Sequence, residues 1–96
     1  MEKLIIPEQD VINAICFYHA RKKYVLPEQV EVELMYEDDR GFSAEAYVNG
    51  QQQFFDTADM IAALRLWLKE FLNEDPFAAA IKLVLDDEAG IIAEVQ

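Results

Sequence analysis

Few side chains in this sequence are of the types that perform nucleophilic or acid–base chemistry. Cys16 and His19 are three residues apart, which places them on one helix face, where a thiol and an imidazole could form a nucleophile–base pair. The sequence holds no second Cys or His to complete a zinc site. Its one serine, Ser43, lacks a nucleophile-elbow context, and three glycines provide no phosphate-binding loop. The sequence therefore favours a non-enzymatic protein and predicts no cofactor.

Carboxylates offer a second kind of chemistry. Glu33 and Glu45 are predicted to lie directly opposite each other on the outer face of a β-hairpin, with Glu31 close by. Opposed like charges destabilise a sheet, so a basic side chain or a divalent cation would be bound favourably here. Two interpretations stay open. One is a docking site for a basic protein partner; the other is a small-ligand or divalent-cation site, or a minor enzyme, that uses the same carboxylates.

Two predicted hairpin loops are also rich in acidic residues. Their acidic side chains are those of Asp38, Asp39, Asp86, Asp87 and Glu88. Oxygen ligands suit hard cations, but neither loop has the alternating ligands and terminal Glu of a twelve-residue calcium loop. Acidic residues also occupy loops simply because they are well solvated. The loops therefore define no specific metal site.

An apolar patch is predicted on the outer surface of the sheet. Met35, Tyr47 and Ile92 fall on the face opposite the predicted core, together with either Phe54 or Phe55. An apolar patch with an acidic rim is typical of an association site. We therefore predict a homodimer that forms through this outer face or through a sheet edge.

A structural unit that occurs twice in the sequence is predicted to position these residues. When residues 7–47 are shifted by 49 positions onto residues 56–96, nine of the 41 pairs are identical. Chance would give about two or three identities. The identical pairs include Asp10/Asp59, Leu34/Leu83, Gly41/Gly90 and Glu45/Glu94. The repeat predicts one domain over residues 1–96, with repeat one at about 3–48 and repeat two at about 51–96.

Each copy is predicted to contain a helix, a proline-containing link and a β-hairpin. The helices span about residues 7–23 and 57–72, and Asp56 is the predicted N-cap of the second. Alternating apolar residues predict five-residue hairpin loops at 37–41 and 86–90. Each loop is closed by a glycine in the left-handed conformation.

Short apolar segments at residues 3–6 and 51–55 add a strand before each helix. The register of the second of these strands stays open, because its two phenylalanines are adjacent. The sequence thus predicts an α+β fold in which two helices lie on one face of an antiparallel sheet. The arrangement is a tandem (β)αββ repeat with an approximate internal twofold axis.

The repeat also predicts which helical side chains are buried. The core stripe of the second helix is predicted to include Phe71 and Leu72. Under the shift of 49, His19 overlies the apolar Leu68, which predicts a half-buried imidazole. Cys16 is then predicted to be an inert thiol.

The composition argues against nucleic acid and membranes as partners. Nineteen acidic against eight basic residues give a net charge of −11, which repels nucleic acid and anionic membranes. Charges interrupt every apolar run, so no segment is predicted to span a bilayer. The single cysteine and the absence of an apolar leader predict a cytoplasmic protein.

Three blocks of sequence resemble a known family. They are IIPEQDVINAIC at residues 5–16, EVELMY at 31–36 followed by GFSAE at 41–45, and the segment 83–90. In these blocks the chain resembles the YxcD-like family of small uncharacterised Gram-positive bacterial proteins. The resemblance covers nearly the whole chain and implies a bacterial cytoplasmic origin. It implies no catalytic signature and no site residues.

The sequence favours a small acidic interaction module that associates with itself, binds a basic protein partner, or does both. The alternative is the ligand- or cation-binding domain described above.

Overall fold

The structure is a computed structural model that describes residues 3–73, 75 and 80–96. These residues form an α+β fold, as predicted. The elements in chain order are β1 (Leu4–Ile6), α1 (Glu8–Lys23), a 3₁₀ helix (Pro27–Gln29), β2 (Glu31–Glu37), β3 (Gly41–Val48), β4 (Gln51–Phe55), α2 (Thr57–Phe71), β5 (Ile81–Asp86) and β6 (Gly90–Val95).

The strands divide into two three-stranded antiparallel sheets, where a single sheet was predicted. Sheet 1 has the order β2-β3-β4, and sheet 2 has the order β1-β6-β5. The short strand before each helix therefore pairs with the hairpin of the other half of the chain: β1 with β6, and β4 with β3. Alternation fixes register within a hairpin but does not decide which hairpins join, so the sequence could not show this division. The order of elements is compatible with a duplication, but the duplication and the single-domain assignment stay predictions.

Both hairpins have the predicted register. Leu34 faces Ala44 in sheet 1, and Leu83 faces Ala93 in sheet 2. Ala44, Ala93 and Ala46 are fully buried. Their small side chains allow the helices to pack closely on the sheets, because little side-chain volume separates the two backbones.

The hairpin turns lie where the sequence predicts, but each loop has three residues instead of five, because the strands extend to the Glu37–Gly41 and Asp86–Gly90 pairs. Gly41 and Gly90 have φ of +76° and +80° and begin the returning strand of each hairpin. Asn49 and Gly50, with φ of +50° and +79°, join β3 to β4 in a tight turn. Positive φ at both central residues is the geometry that favours Asn-Gly in a hairpin.

Asp56 is the N-cap of α2, as predicted. The Asp56 carboxylate accepts a hydrogen bond from the Asp59 N–H at 2.8 Å, and the Asp59 carboxylate accepts one from the Asp56 N–H at 3.1 Å. This reciprocal capping box satisfies two backbone donors at the start of α2. At the end of α1, Tyr24 adopts the left-handed conformation, and its N–H bonds to the Ala20 carbonyl.

The core lies between the two helices and the two sheets, and each helix contacts both sheets. Its largest fully buried side chains are those of Ile6, Val11, Ile15, Met60, Leu64 and Leu68. The predicted burial of Phe71 and Leu72 is wrong, because Phe71 is 56% exposed and Leu72 is also exposed. Leu68 is the last buried residue of α2, so the apolar stripe continues past the end of the core.

Each helix is also tied to the hairpin of the other half by its first residue. The Glu8 Oε2 atom accepts a hydrogen bond from the Ile91 N–H at 2.7 Å. At the shifted positions, the Thr57 hydroxyl donates to the Phe42 carbonyl. Both bonds join the start of a helix to the second residue of a returning strand, so they fix where the hairpin lies against the helix.

Candidate interaction site

The outer face of sheet 1 carries most of the predicted site residues. We call this surface the acidic face; it consists of Glu31, Glu33, Met35, Ser43, Glu45, Tyr47, Gln52 and Phe54. Alternate residues of the central strand, Ala44, Ala46 and Val48, are buried in the core. The period of two along β3 therefore directs Glu45 and Tyr47 away from the core.

Glu33 lies directly opposite Glu45, in the predicted register, and Glu31 lies opposite Tyr47. Among the described residues, no Lys, Arg or His nitrogen lies within 4.0 Å of these three carboxylates. Burial raises the pKa of Tyr47, and the charges of Glu45 and Glu33 and a hydrogen bond to Glu45 raise it further. The centre of the acidic face is thus a region of uncompensated negative charge.

In sheet 2, the glutamate that corresponds to Glu45 has basic neighbours. Lys82 lies opposite Glu94, and the Lys3 Nζ atom lies 3.4 Å from the Glu94 Oε2 atom. Under the shift of 49, Lys82 overlies Glu33 and Lys3 overlies a glutamine. Two lysines therefore flank the central glutamate of sheet 2, whereas a glutamate and a glutamine occupy those places in sheet 1.

This comparison predicts the effect of one substitution on stability. Glu33→Lys should raise the free energy of unfolding by about 0.5–1 kcal/mol, because it turns a repulsive cross-strand pair into an attractive one. The reciprocal change, Lys82→Glu, should lower stability by a similar amount. Urea unfolding at low ionic strength would measure both. A loss of stability in Glu33→Lys would show that Glu33 is held by a favourable contact.

A cavity of about 460 Å³ opens at one end of the acidic face. Its apolar lining comes from Met35, Phe42 and Phe54, and its carboxylates from Glu37, Glu45 and Asp56. Arg40 also lines it, with its Nε atom 3.9 Å from a Glu37 oxygen. Long basic side chains bury their methylene stems and keep the charged head near polar groups. The cavity suits a Lys or Arg side chain of a partner.

The apolar patch differs from its prediction at one position. Ile92, which pairs with Val84 in sheet 2, is buried at 7% exposure, so it does not belong to an exposed patch. Met35 and Tyr47 are half-buried. Phe54 is 54% exposed, whereas Phe55 is buried, which settles the register of β4. The apolar part of the acidic face is therefore formed by the half-buried Met35 and Tyr47 and the exposed Phe54.

The acidic loops lie at the tips of the two hairpins. Asp38 and Asp39 are in the turn before β3, and Asp86, Asp87 and Glu88 form the end of β5 and the turn before β6. The Asp86 carboxylate accepts the N–H groups of Glu88 and Ala89 at 2.9 and 2.8 Å, which lowers its pKa. Within residues 3–73, 75 and 80–96, no group of three or more His, Cys, Asp or Glu side chains is arranged to hold a metal ion.

Cys16 and His19 do not form a nucleophile–base pair. The Cys16 thiol donates to the Val30 carbonyl at 3.5 Å, and burial raises its pKa, as expected for an inert thiol. His19 is buried rather than half-buried and packs edge-on against the Phe55 ring, with the ring centres 5.6 Å apart. Its Nδ1 atom has no hydrogen-bond partner in the described part of the chain.

The environment of His19 predicts a pH dependence of stability. Burial lowers its pKa below 6.5, and the nearby charges of Lys23 and Lys22 lower it further. At His19 the unfolded chain therefore takes up a proton more readily than the folded chain. The contribution of His19 to the free energy of unfolding is complete above pH 6.5 and is lost as the pH falls toward the lowered pKa. Urea unfolding at about pH 7 and about pH 5.5 should show lower stability at the lower pH. In His19→Leu the difference in stability between the two pH values should be smaller. An unchanged difference would contradict the assignment of the pH dependence to His19.

The fold and the site together define a small α+β protein with one charge-neutralised sheet face and one acidic sheet face. The chain belongs to the family described as a protein of unknown function (DUF2653), whose model matches residues 1–88. It is 32% identical to the uncharacterized protein YxcD of Bacillus subtilis (strain 168) over 94 residues, which are 97% of this chain and 92% of that protein. The predicted family resemblance is confirmed.

No solved structure matches the chain. Of the helices in the described residues, none has the length and apolar character needed to cross a membrane.

Proposed function

We propose that this protein is a small non-enzymatic interaction module that binds a basic segment of another protein through the acidic face. The supporting observation is the Glu33–Glu45 pair, which has no basic nitrogen within 4.0 Å in the described ranges. Two opposed carboxylates destabilise the free sheet. A docked Lys or Arg relieves that repulsion, so part of the binding free energy comes from the removal of an unfavourable contact.

The apolar residues of the acidic face supply the second part of the contact. Phe54 is exposed and lies beside Glu45 in the sheet register. A basic side chain in the neighbouring cavity can place its stem against Phe54 and Met35 and its charged head near Glu45. Aromatic residues that become fully desolvated carry much of the energy of protein interfaces. The net charge of −11 increases the rate of encounter with a basic partner and makes it sensitive to salt.

Self-association through the acidic face is disfavoured by the same charges. A twofold dimer places the same surface of both copies together, so the two sets of carboxylates would meet. We retain the homodimer as a prediction for the open sheet edges, which β2 and β4 form in sheet 1. A molar-mass measurement by light scattering would test it.

The half-buried cysteine is in keeping with a reducing cytoplasm, where we place the interaction.

Affinity capture with matched variants tests the proposal. Immobilised wild-type protein is compared with Glu33→Gln/Glu45→Gln and with Asp87→Asn/Glu88→Gln. Both double variants change the net charge by +2, but the second lies on the hairpin tip of sheet 2. Basic proteins should be retained by the wild type and by the loop variant, should be lost from the acidic-face variant, and should be released by salt.

Equal capture by all three proteins would show that net charge alone is responsible and would contradict the proposal. Calorimetric titration with calcium, magnesium and manganese should show no one-site binding. Binding of one of these ions that is lost in Glu33→Gln/Glu45→Gln would favour a cation-binding domain instead.

A further inference from the structure

A second cavity, of about 420 Å³, lies between the last turns of α1 and strand β4. Its polar lining comes from Lys22, Lys23 and Gln53, and its aromatic lining includes Tyr18 and Phe54. A neighbouring cavity of about 340 Å³ also includes Lys23 and Gln53 in its lining. Volumes of about 300–1,000 Å³ are typical of small-molecule sites. The feature is a concave surface rich in hydrogen-bond donors on a protein that is otherwise strongly acidic.

The basic charge at this cavity exceeds the acidic charge. Arg21, the preceding residue, is paired with Glu70 at 3.2 Å. Lys22 and Lys23 form no ion pair with any described residue, although the chain has nineteen acidic side chains against eight basic ones. The Lys22 Nζ atom lies 4.7 Å from the centre of the Tyr18 ring, which holds the ammonium group at the cavity.

A buried polar atom beside the cavity also lacks a partner. His19 is 2% exposed and lines both cavities, and its Nδ1 atom makes no hydrogen bond within the described part of the chain. Buried side-chain nitrogens are nearly always hydrogen-bonded to protein, water or a ligand. One carboxylate, that of Asp59, lines the cavity as well and accepts a hydrogen bond from the Asp56 N–H at 3.1 Å. The two lysines outweigh it in charge.

We propose that this cavity binds a small organic anion. Its carboxylate or phosphate group lies at Lys22, Lys23 and the Gln53 amide, and its apolar body lies against the rings of Tyr18 and Phe54. The proposal is independent of the proposed function, because the anion-binding residues are not part of the acidic face, apart from the shared ring of Phe54.

Three probes test the proposal: phenyl phosphate, benzoate and inorganic phosphate, each compared with sodium chloride at equal ionic strength. The chain has one histidine, so the spectrum contains a single imidazole Hε1 resonance, which reports on the cavity. Phenyl phosphate or benzoate should shift this resonance in a saturable way, and sodium chloride should not. The probe that binds more tightly identifies the head group. Inorganic phosphate should bind at least about threefold more weakly than phenyl phosphate, because it lacks the aromatic contact.

Matched variants assign the binding to the lysines. Lys22→Gln/Lys23→Gln should weaken the binding of the better probe at least about tenfold, since each charge-assisted contact contributes strongly to anion recognition. The control, Lys69→Gln/Lys82→Gln, loses the same charge elsewhere and should bind within about twofold of the wild type. Glu33→Gln/Glu45→Gln should leave the affinity unchanged. Three results would each overturn the proposal: no saturable shift, equal affinity for inorganic and phenyl phosphate, or equal weakening by both lysine variants.

Discussion

Phe55→Ala should lower the free energy of unfolding by about 3–5 kcal/mol, whereas Phe54→Ala should lower it by less than about 1 kcal/mol. The two residues are adjacent on β4, but Phe55 is 4% exposed and Phe54 is 54% exposed. The Phe55 ring also packs edge-on against Tyr18 and His19, with centres 6.1 and 5.6 Å apart. Removing it leaves a cavity between helix and sheet.

Guanidinium unfolding of both variants measures this difference. A loss of this size is a large part of the total stability of a small domain, so Phe55→Leu serves as a milder variant that keeps the protein folded. Similar costs at the two positions would contradict the register of β4.

Because Phe54 lies on the acidic face, Phe54→Ala should leave the fold intact. It should weaken partner binding by about tenfold, because it removes an exposed aromatic anchor.

Gly90→Ala should cost about 2–3 kcal/mol, and Gly41→Ala about 1 kcal/mol. Both glycines have positive φ, so an alanine is strained by about 1 kcal/mol at either position. At Gly41 the nearest atom to a new Cβ is the Thr57 hydroxyl at 3.8 Å, an ordinary contact. At Gly90 the new Cβ would lie 2.7 Å from the Glu8 carboxyl carbon, and the carboxylate must move away.

That movement breaks a specific hydrogen bond. The Glu8 carboxylate accepts the Ile91 N–H at 2.7 Å, and a partly buried backbone donor without a partner costs about 1–3 kcal/mol. Urea unfolding of both glycine variants, repeated in a Glu8→Ala background, separates this cost from backbone strain. In that background Gly90→Ala and Gly41→Ala should cost nearly the same. A difference that persists without Glu8 would contradict this explanation.

The registers of both hairpins and their glycine turns could be predicted from the sequence, because they depend on local patterns. Alternation in β2 and β3 excludes a register shifted by one residue, which would put glutamates on the apolar face, and Gly41 supplies the left-handed residue that the turn needs. The same argument places Lys82 opposite Glu94 in sheet 2. The central pair of the acidic face, Glu33 and Glu45, followed directly from this register.

The division into two sheets could not be predicted, because it depends on pairing between distant strands. β1 pairs with β6, whose residues lie near the other end of the chain, and no local pattern encodes that choice. This pairing makes β6 the central strand of sheet 2. Ile92 on β6 is buried, which is the one error among the predicted site residues. Phe54 and Phe55 could be assigned only once the contacts of Phe55 with α1 were known.

The two cavities could not be predicted from the sequence, because residues that are far apart along the chain line each of them. Glu37 and Asp56 line the cavity at the acidic face, yet they belong to elements that come together only in the folded chain. The anion cavity combines Lys22 and Lys23 of α1 with Gln53 of β4. The run of three basic residues at the end of α1 is visible in the sequence, but basic residues are common at helix C-termini, so the run alone does not indicate a binding site.

The acidic face is tested most directly by titrating an isotope-labelled sample with a short peptide that carries several Lys and Arg residues and one apolar anchor. The amide signals of residues 31–35, 43–47 and 52–54 should shift with peptide concentration, while those around Lys82 and Glu94 stay in place. Glu33→Lys/Glu45→Lys should abolish the shifts. Shifts spread evenly over both sheets, or unchanged binding by the charge-reversed variant, would contradict a docking site on sheet 1.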